Sequence, residues 1–390
     1  MKIEADSFYG LNYIDKKEIK EVIKIMKNKS LFRFDAPKMC YETDKLEKKL
    51  SDYFNQNVLC VNNGTSALKM CLIANDIGIN DEVLIPCLSF ISTASSCLTV
   101  GALPIFVNID DKFNFDFDDA EKKITNKTKA IILVHYQGQS CNMNKAKQFA
   151  EKHNLVLIED VAQGFGARYD NKLLGTFGNC SAFSFQAGKT ITSGEGGAFS
   201  SSNKKIFATA KRYADCGGDR PFDSYPNWNG KHTSFGENFK LTDLQSAILL
   251  KQFEKIKRII NHQEYLYDYI VSRLDDYNIR KISSKCQPFY MSLCFVFNSK
   301  EECNKFIYFT SNKNIKFSTK IDNFMPDYNT FKNKKSWHSS GFPYLPEYKV
   351  SDCSKSKELL ERTAWLPLNS SFSKKEVNYI VKVLKEFKYE

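Results

Sequence analysis

The chain has 390 residues, long enough for two or three domains and a large buried core. Hydrophobic residues make up 42% and charged residues 26%, ordinary globular proportions that exclude a wholly disordered or collagen-like chain. The formal net charge is +11, but the densest basic stretches, Lys16 to Lys29 and Lys251 to Arg258, interleave charge with apolar residues at helical spacing, so solvated helix faces are expected and no nucleic-acid partner.

No apolar run approaches the roughly 20 residues that cross a bilayer, and the first residues lack the apolar stretch of a signal peptide; no membrane partner and a cytoplasmic location are expected. Among the 12 cysteines the closest pair, Cys286 and Cys294, is eight apart, and no CxxC or Cys/His ligand spacing occurs. Buried free thiols and no metal site are expected.

Residues 13 to 28 place Ile19, Val22, Ile23 and Met26 at spacings of three and four, which predicts an amphipathic helix. Residues 43 to 55 predict a second, with Leu46, Leu50 and Phe54 on one face. An alternation then begins: strand 57–62, helix from Thr65 to Ala74, strand 82–87, helical SFISTASSCLTVG, strand 104–109, strand 130–135, helix 144–153, strand 155–160 and strand 181–186. Short apolar strands alternating with helices predict crossovers and a mostly parallel sheet covered on both faces. Beyond Gly236 the pattern predicts one long helix, roughly Thr242 to Leu274, then the strand MSLCFVFN (291 to 298), a polar Asn- and Lys-rich stretch from 310 to 336 and a terminal helix over 374–387. The expected organisation is a large α/β domain over 1–250, with an N-terminal helical segment, and a smaller α+β domain over 251–390.

In open parallel sheets, ligands gather beyond the carboxyl ends of the strands. Three such loops carry unusual residues. Asn63-Gly64-Thr65-Ser66 ends a strand and opens a helix, where free N–H groups suit a phosphate, although Gly-Thr-Ser is also an ordinary helix start. Glu159 and Asp160 end the strand LVLIED, with Gln163 three residues on. A carboxylate there is positioned to keep a heterocyclic nitrogen protonated and the amide to bond a ring oxygen, unless the carboxylate only caps the next helix. Lys189 follows an apolar strand that holds Ser184 and precedes a glycine-rich turn, where a lysine can lose its proton and form a Schiff base, unless it is merely a surface lysine.

Together these are the parts that a pyridoxal phosphate site requires. NNGTSALKM, DEVLIPCLSFIST, GALPIFVNID, IEDVAQGFGARY, GTFGNCSAFSFQAGKTITSGEGG and FGENFKLTDLQSAIL resemble, in order, successive signatures of the DegT/DnrJ/EryC1/StrS aminotransferases. The resemblance is strong from about 40 to 255 and weaker to the end. It implies the aspartate aminotransferase fold (fold type I), with a mostly parallel, seven-stranded type of sheet, and a homodimer with active sites at the subunit interface. It implies transfer of an amino group from L-glutamate or L-glutamine to a keto-sugar in amino-sugar biosynthesis, through pyridoxal phosphate and its pyridoxamine form.

By the same resemblance Lys189 would join the cofactor and shuttle the proton, and Asp160 would pair with the pyridine nitrogen. Gln163 would bond the phenolic oxygen and Phe90 would stack on the ring. Gly64, Thr65, Ser66 and Ser184 would hold the phosphate, and Asn238 would cross the dimer interface. Lys240 stands where arginine is usual, and Ser66 where alanine is common. Family members that dehydrate sugars carry histidine in place of the lysine, so Lys189 argues against a dehydratase; the intact lysine, aspartate and glutamine argue against a non-catalytic cofactor-binding regulator. Residues 213 to 234 and LFRFD (31 to 35) are more similar to branches acting on keto-cyclitols or on an 8-keto Kdo sugar than to the usual nucleotide-sugar members. His232, Trp337 and His338 are the expected substrate contacts.

Overall fold

The protein is described by a computed structural model over residues 2–3, 6–34, 36–219, 233–274, 277–335, 339 and 350–387. Two helices lead, α1 (Lys16–Asn28) and α2 (Glu42–Phe54), followed by β1 (Asn57–Val61), α3 (Gly64–Ile73), β2 (Glu82–Pro86), α4 (Ser92–Thr99), β3 (Leu103–Val107), α5 (Phe117–Glu121), β4 (Thr128–Val134), α6 (Met143–Lys152) and β5 (Val156–Asp160). Two short strands, β6 (Arg168–Tyr169) and β7 (Lys172–Leu173), precede β8 (Cys180–Ser184), β9 (Gly197–Ser201) and α7 (Lys204–Ala214). Then come α8 (Asp243–Glu254), α9 (Ile256–Val271), β10 (Cys286–Gln287), β11 (Ser292–Val296), α10 (Lys300–Asn312), α11 (Asn329–Lys332), α12 (Ser354–Glu361), β12 (Thr363–Pro367) and α13 (Lys374–Glu386).

Among the described residues the main sheet has seven strands in the order β1-β9-β8-β5-β4-β2-β3. Only β9 runs against the rest, antiparallel to both β1 and β8. The expected mostly parallel sheet is therefore present, and β9 is a strand that the Gly- and Ser-rich sequence did not announce. Because β1, β2, β5 and β8 share one direction, their carboxyl ends lie along one edge.

α2 behaves as its spacing predicts, with Leu46, Leu50 and Phe54 buried. α1 does not. Its buried positions are Glu18 and Ile25, while Ile19, Ile23 and Met26 are 57%, 49% and 55% exposed, so the described residues leave about half of that apolar face uncovered. The expected long helix over 242–274 is also corrected: it breaks at Lys255 into α8 and α9. The Lys255 ammonium is drawn onto the buried Glu18 carboxylate and the Tyr13 carbonyl, at 2.7 Å from each, and onto Asp15. A buried carboxylate without a cation is costly, and this contact satisfies both charges. Below the break α8 packs on α1 and α2; beyond it Leu266 and Ile270 of α9 join the cluster formed by β11, α10, β12 and α13.

None of the twelve cysteines is in a disulfide; eleven are buried and Cys216 is exposed. Among the described residues no helix is long and apolar enough to cross a membrane.

Candidate active site

The loop from β1 into α3 is shaped by Asn63. Its extended backbone stands just outside the helix, and its Oδ1 accepts the Ser66 N–H at 2.8 Å, a side-chain N-cap. The N–H groups of Gly64 and Thr65 have no hydrogen-bond partner among the described residues and sit at the positive end of the helix dipole. A Cβ on Gly64 would come within 2.9 Å of Ser184 Cβ, so only glycine keeps the gap between the helix start and the end of β8 open.

Strand alternation sends Glu159 and Asp160 to opposite faces of the sheet. Glu159 is fully buried and consumed there: it accepts N–H bonds from Gly175 (2.8 Å), Phe177 (2.7 Å) and Gly178 (2.9 Å), with His135 Nε2 at 3.2 Å. His135 Nδ1 accepts the Cys141 N–H at 3.3 Å, so the ring proton sits on Nε2 and is donated to Glu159. Asp160 has the other fate. It is 5% exposed, its Oδ1 accepts the Ala162 N–H and its Oδ2 the Thr93 hydroxyl, each at 3.1 Å, and Thr93 Oγ1 lies 2.8 Å from Ser89 Oγ. Burial pushes its carboxyl above the usual carboxylate range, against the Ala162 N–H, the Lys189 charge and the Thr93 hydroxyl. It forms no ion pair among the described residues.

After β8 the chain turns back on itself, with the Phe185 N–H on the Gly196 carbonyl at 2.8 Å. In that turn the Lys189 N–H donates to the Gln186 carbonyl and the Lys189 carbonyl accepts the Gly10 N–H, both at 3.0 Å. Burial pushes the Lys189 ammonium below the usual lysine range, and Asp160 and Glu195 pull the other way. A lysine so placed sheds its proton more readily than one in water. Gln163, three residues past Asp160, accepts the Gln137 N–H on Oε1 at 2.8 Å, which leaves its amide NH2 as the group it offers.

One cavity of about 760 Å³ is lined by Gly64, Thr65, Ser66, Phe90, Asp160, Gln163, Ser184 and Lys189. Every expected cofactor residue except Asn238 is brought together there. Phe90 is 64% exposed. Asn238 is exposed and does not line the cavity; its Oδ1 accepts the Lys240 N–H at 3.4 Å. Lys240, in place of the usual arginine, is held by Asp215 at 2.7 Å. His232, Trp337 and His338 lie outside the described residues. Sequence reasoning passed over Thr93, Ser89, Gln137, Glu195 and Lys69. Thr93 and Ser89 stand in the quoted DEVLIPCLSFIST, Lys69 in NNGTSALKM one turn beyond Thr65, and Glu195 in the glycine-rich turn after Lys189.

The model of the DegT/DnrJ/EryC1/StrS aminotransferase family matches residues 12–385. The chain is 36% identical over 232 residues to GDP-perosamine synthase of Caulobacter vibrioides, an alignment covering 59% of this chain and 61% of that protein. Its likeness to the dTDP-3-amino-3,6-dideoxy-alpha-D-galactopyranose transaminase of Aneurinibacillus thermoaerophilus is 28% over 351 residues, covering 89% and 90%. The fold is similar to the PLP form of the putative sugar aminotransferase Spr1654 from Streptococcus pneumoniae, with TM-score 0.83, 22% identity, and coverage of 99% of this chain and 98% of that one.

Proposed function

The chain belongs to the DegT/DnrJ/EryC1/StrS aminotransferase family, and on that premise we propose that it is a pyridoxal phosphate-dependent aminotransferase that moves an amino group from L-glutamate or L-glutamine to a keto-sugar. The observation that carries the reading is the meeting of Lys189, Asp160 and Gln163 around one cavity with the unbonded start of α3. The groups suit the cofactor: helix N–H groups with no partner among the described residues for a phosphate, a buried carboxylate in no ion pair among them for a protonated ring nitrogen, and an amide NH2 for a ring oxygen.

When bound, pyridoxal phosphate supplies an electron sink for the carbon that loses its proton. The start of α3, with the hydroxyls of Thr65, Ser66 and Ser184, holds the phosphate. Asp160 keeps the proton on the ring nitrogen, and Thr93 and Ala162 keep the carboxylate in place. Gln163 would donate to the ring oxygen, and Phe90, which lines the same cavity, would pack against the ring. Lys189 anchors the cofactor through Nζ. The same nitrogen would move a proton at the donor α-carbon, a task suited to an amine of lowered basicity.

The reading includes a homodimer. Asn238, exposed and outside its own cavity, reaches the phosphate of a second copy, and the exposed Ile19, Ile23 and Met26 supply apolar surface for that copy to cover. It includes a cofactor-binding part through about residue 250 and a smaller part over 251–390, which the separate cluster of Leu266, Ile270, Leu293, Phe295, Phe306 and Ile380 supports. A cytoplasmic enzyme of polysaccharide or other amino-sugar synthesis completes it. A nucleotide-linked keto-deoxysugar is the first acceptor to try, since both named relatives carry nucleotide-linked amino sugars in their names; a keto-cyclitol and an 8-keto Kdo sugar follow.

The test is the visible spectrum of the purified protein with pyridoxal phosphate, before and after L-glutamate and L-glutamine, with Lys189→Ala alongside. A yellow protein that bleaches with one donor, and a variant that does neither, is the expected result. A wild type that takes up no cofactor, or a Lys189→Ala that still transaminates, overturns the reading.

A further inference from the structure

The Gln163 amide is held by a residue that the cavity does not touch. Its Oε1 receives two bonds, from the Gln137 N–H at 2.8 Å and from Gln137 Nε2 at 3.3 Å. A backbone N–H can only donate, so the first bond identifies that atom as the carbonyl oxygen, and the second occupies its remaining lone pair. The NH2 is then the only part of Gln163 left to offer.

Gln137 is itself held under strain. It carries a side chain yet adopts φ 56° and ψ 34°, the left-handed region that such residues rarely enter. Gly138 beside it is pressed against the 289–292 segment: its carbonyl accepts the Phe289 N–H at 3.0 Å, and a Cβ at its φ of 79° would stand 1.9 Å from the Phe289 carbonyl oxygen. From that segment Ser292, at the start of β11, donates its hydroxyl to Gln137 Oε1 at 2.9 Å. With Oε1 so engaged, the Gln137 NH2 is the end that faces Gln163. The bonds form one directed chain, Ser292 to Gln137 to Gln163, across three segments distant in sequence.

We infer that Gln137 is a positioning residue, backed by Ser292, that fixes the Gln163 amide with its NH2 toward the ring oxygen of the cofactor. The inference rests on the function proposed above. Without the Gln137 side chain the Gln163 amide keeps one of its two anchors, the residue 137 N–H, and turns over more readily to present its own oxygen to the ring oxygen, which would oppose rather than stabilise negative charge there.

The experiment is a pH titration of the visible band of the protein saturated with pyridoxal phosphate, comparing wild type with Gln137→Leu, Gln137→Gly and Ser292→Ala. Bound cofactor is counted after alkaline release, and folding is followed by thermal melting. A donor to the ring oxygen draws off its charge and weakens its hold on the proton carried at the Lys189 nitrogen. Losing that donor raises the titration midpoint. Gln137→Leu is expected to raise it by about half to one pH unit, the scale of one weakened hydrogen bond to a charged group. All three variants keep the residue 137 N–H; Gln137→Gly, which like Gln137→Leu loses the Nε2 bond, raises it by a similar amount, and Ser292→Ala, which removes only the brace on Gln137, raises it less. An unchanged midpoint in fully loaded Gln137→Leu overturns the inference, as does an unchanged midpoint in Gln137→Gly and Ser292→Ala should the leucine variant not fold. A wild type that binds no cofactor overturns the underlying reading instead, so the two failures are distinct.

Discussion

Thr93 donates its hydroxyl to Asp160 Oδ2 across 3.1 Å, joining the first turn of α4 to the end of β5. The bond fixes the rotation of a buried carboxylate and favours its charged form, which burial alone disfavours.

Thr93→Val keeps the shape and removes the donor. A hydrogen bond to a charged group contributes about 1.5 to 3 kcal/mol, so the glutamate half-reaction is expected to slow by roughly 10- to 100-fold while the protein stays folded. Stopped-flow bleaching of the cofactor measures this, and Thr93→Ser should recover most of the rate. Equal rates in all three proteins would remove Thr93 from the mechanism.

Asp160 also sets a pH dependence. With its carboxyl raised by burial, the folded, cofactor-free protein keeps a proton that the unfolded chain gives up near pH 4. Stability therefore falls as the pH rises from about 4 through the higher folded value, and stays lower above it. Asp160→Asn abolishes that slope. The variant without cofactor should melt above the wild type at neutral pH but not at pH 4, and should be inactive. A wild-type advantage at neutral pH without cofactor would contradict this.

Glu237 works with the opposite sign. Burial opposes its ionisation, but the Lys69 ammonium and the Tyr213 hydroxyl outweigh that, and the carboxyl is held below its usual range. Its contribution to stability is present above the unfolded value and is lost as the pH falls through the folded one. Because Glu237 adjoins Asn238, Glu237→Gln should flatten the acid limb of the melting curve and loosen cofactor binding in the dimer by several-fold, read by equilibrium dialysis. Unchanged binding would leave Glu237 with a local structural role only.

Charge on the exposed face of α1 tests the dimer. Ile19→Lys with Ile23→Glu alters side chains that are 57% and 49% exposed within one chain, so the fold by circular dichroism should not change. Light scattering should show a monomer with weakened cofactor retention. A variant that stays dimeric would place the interface elsewhere.

Glu159 is where a carboxylate is structural. Glu159→Leu strands three backbone N–H groups and the His135 Nε2–H in the interior. A loss of about 3 to 5 kcal/mol in urea unfolding is expected, far above an ordinary surface change. A loss under about 1 kcal/mol would mean that water reaches the site.

The alternation of short apolar strands with helices was enough to read the parallel sheet, since a strand buried on both faces must be apolar throughout and its crossover needs a helix. The same periodicity placed Asp160 at a strand end and Gly64 and Lys189 beyond strand ends, where side chains can converge. It also marked a helix over residues 13–28, but Ile19, Ile23 and Met26 turned out exposed while Glu18 was buried, because which face of an amphipathic helix is covered depends on what lies beside it. Spacing within a segment carries no information on contacts between segments. For that reason Thr93 on Asp160, Lys255 on Glu18 across 237 residues, and the Ser292–Gln137–Gln163 chain were decided only by the tertiary structure, in which hydrogen bonds over about 3 Å join residues that no local pattern relates.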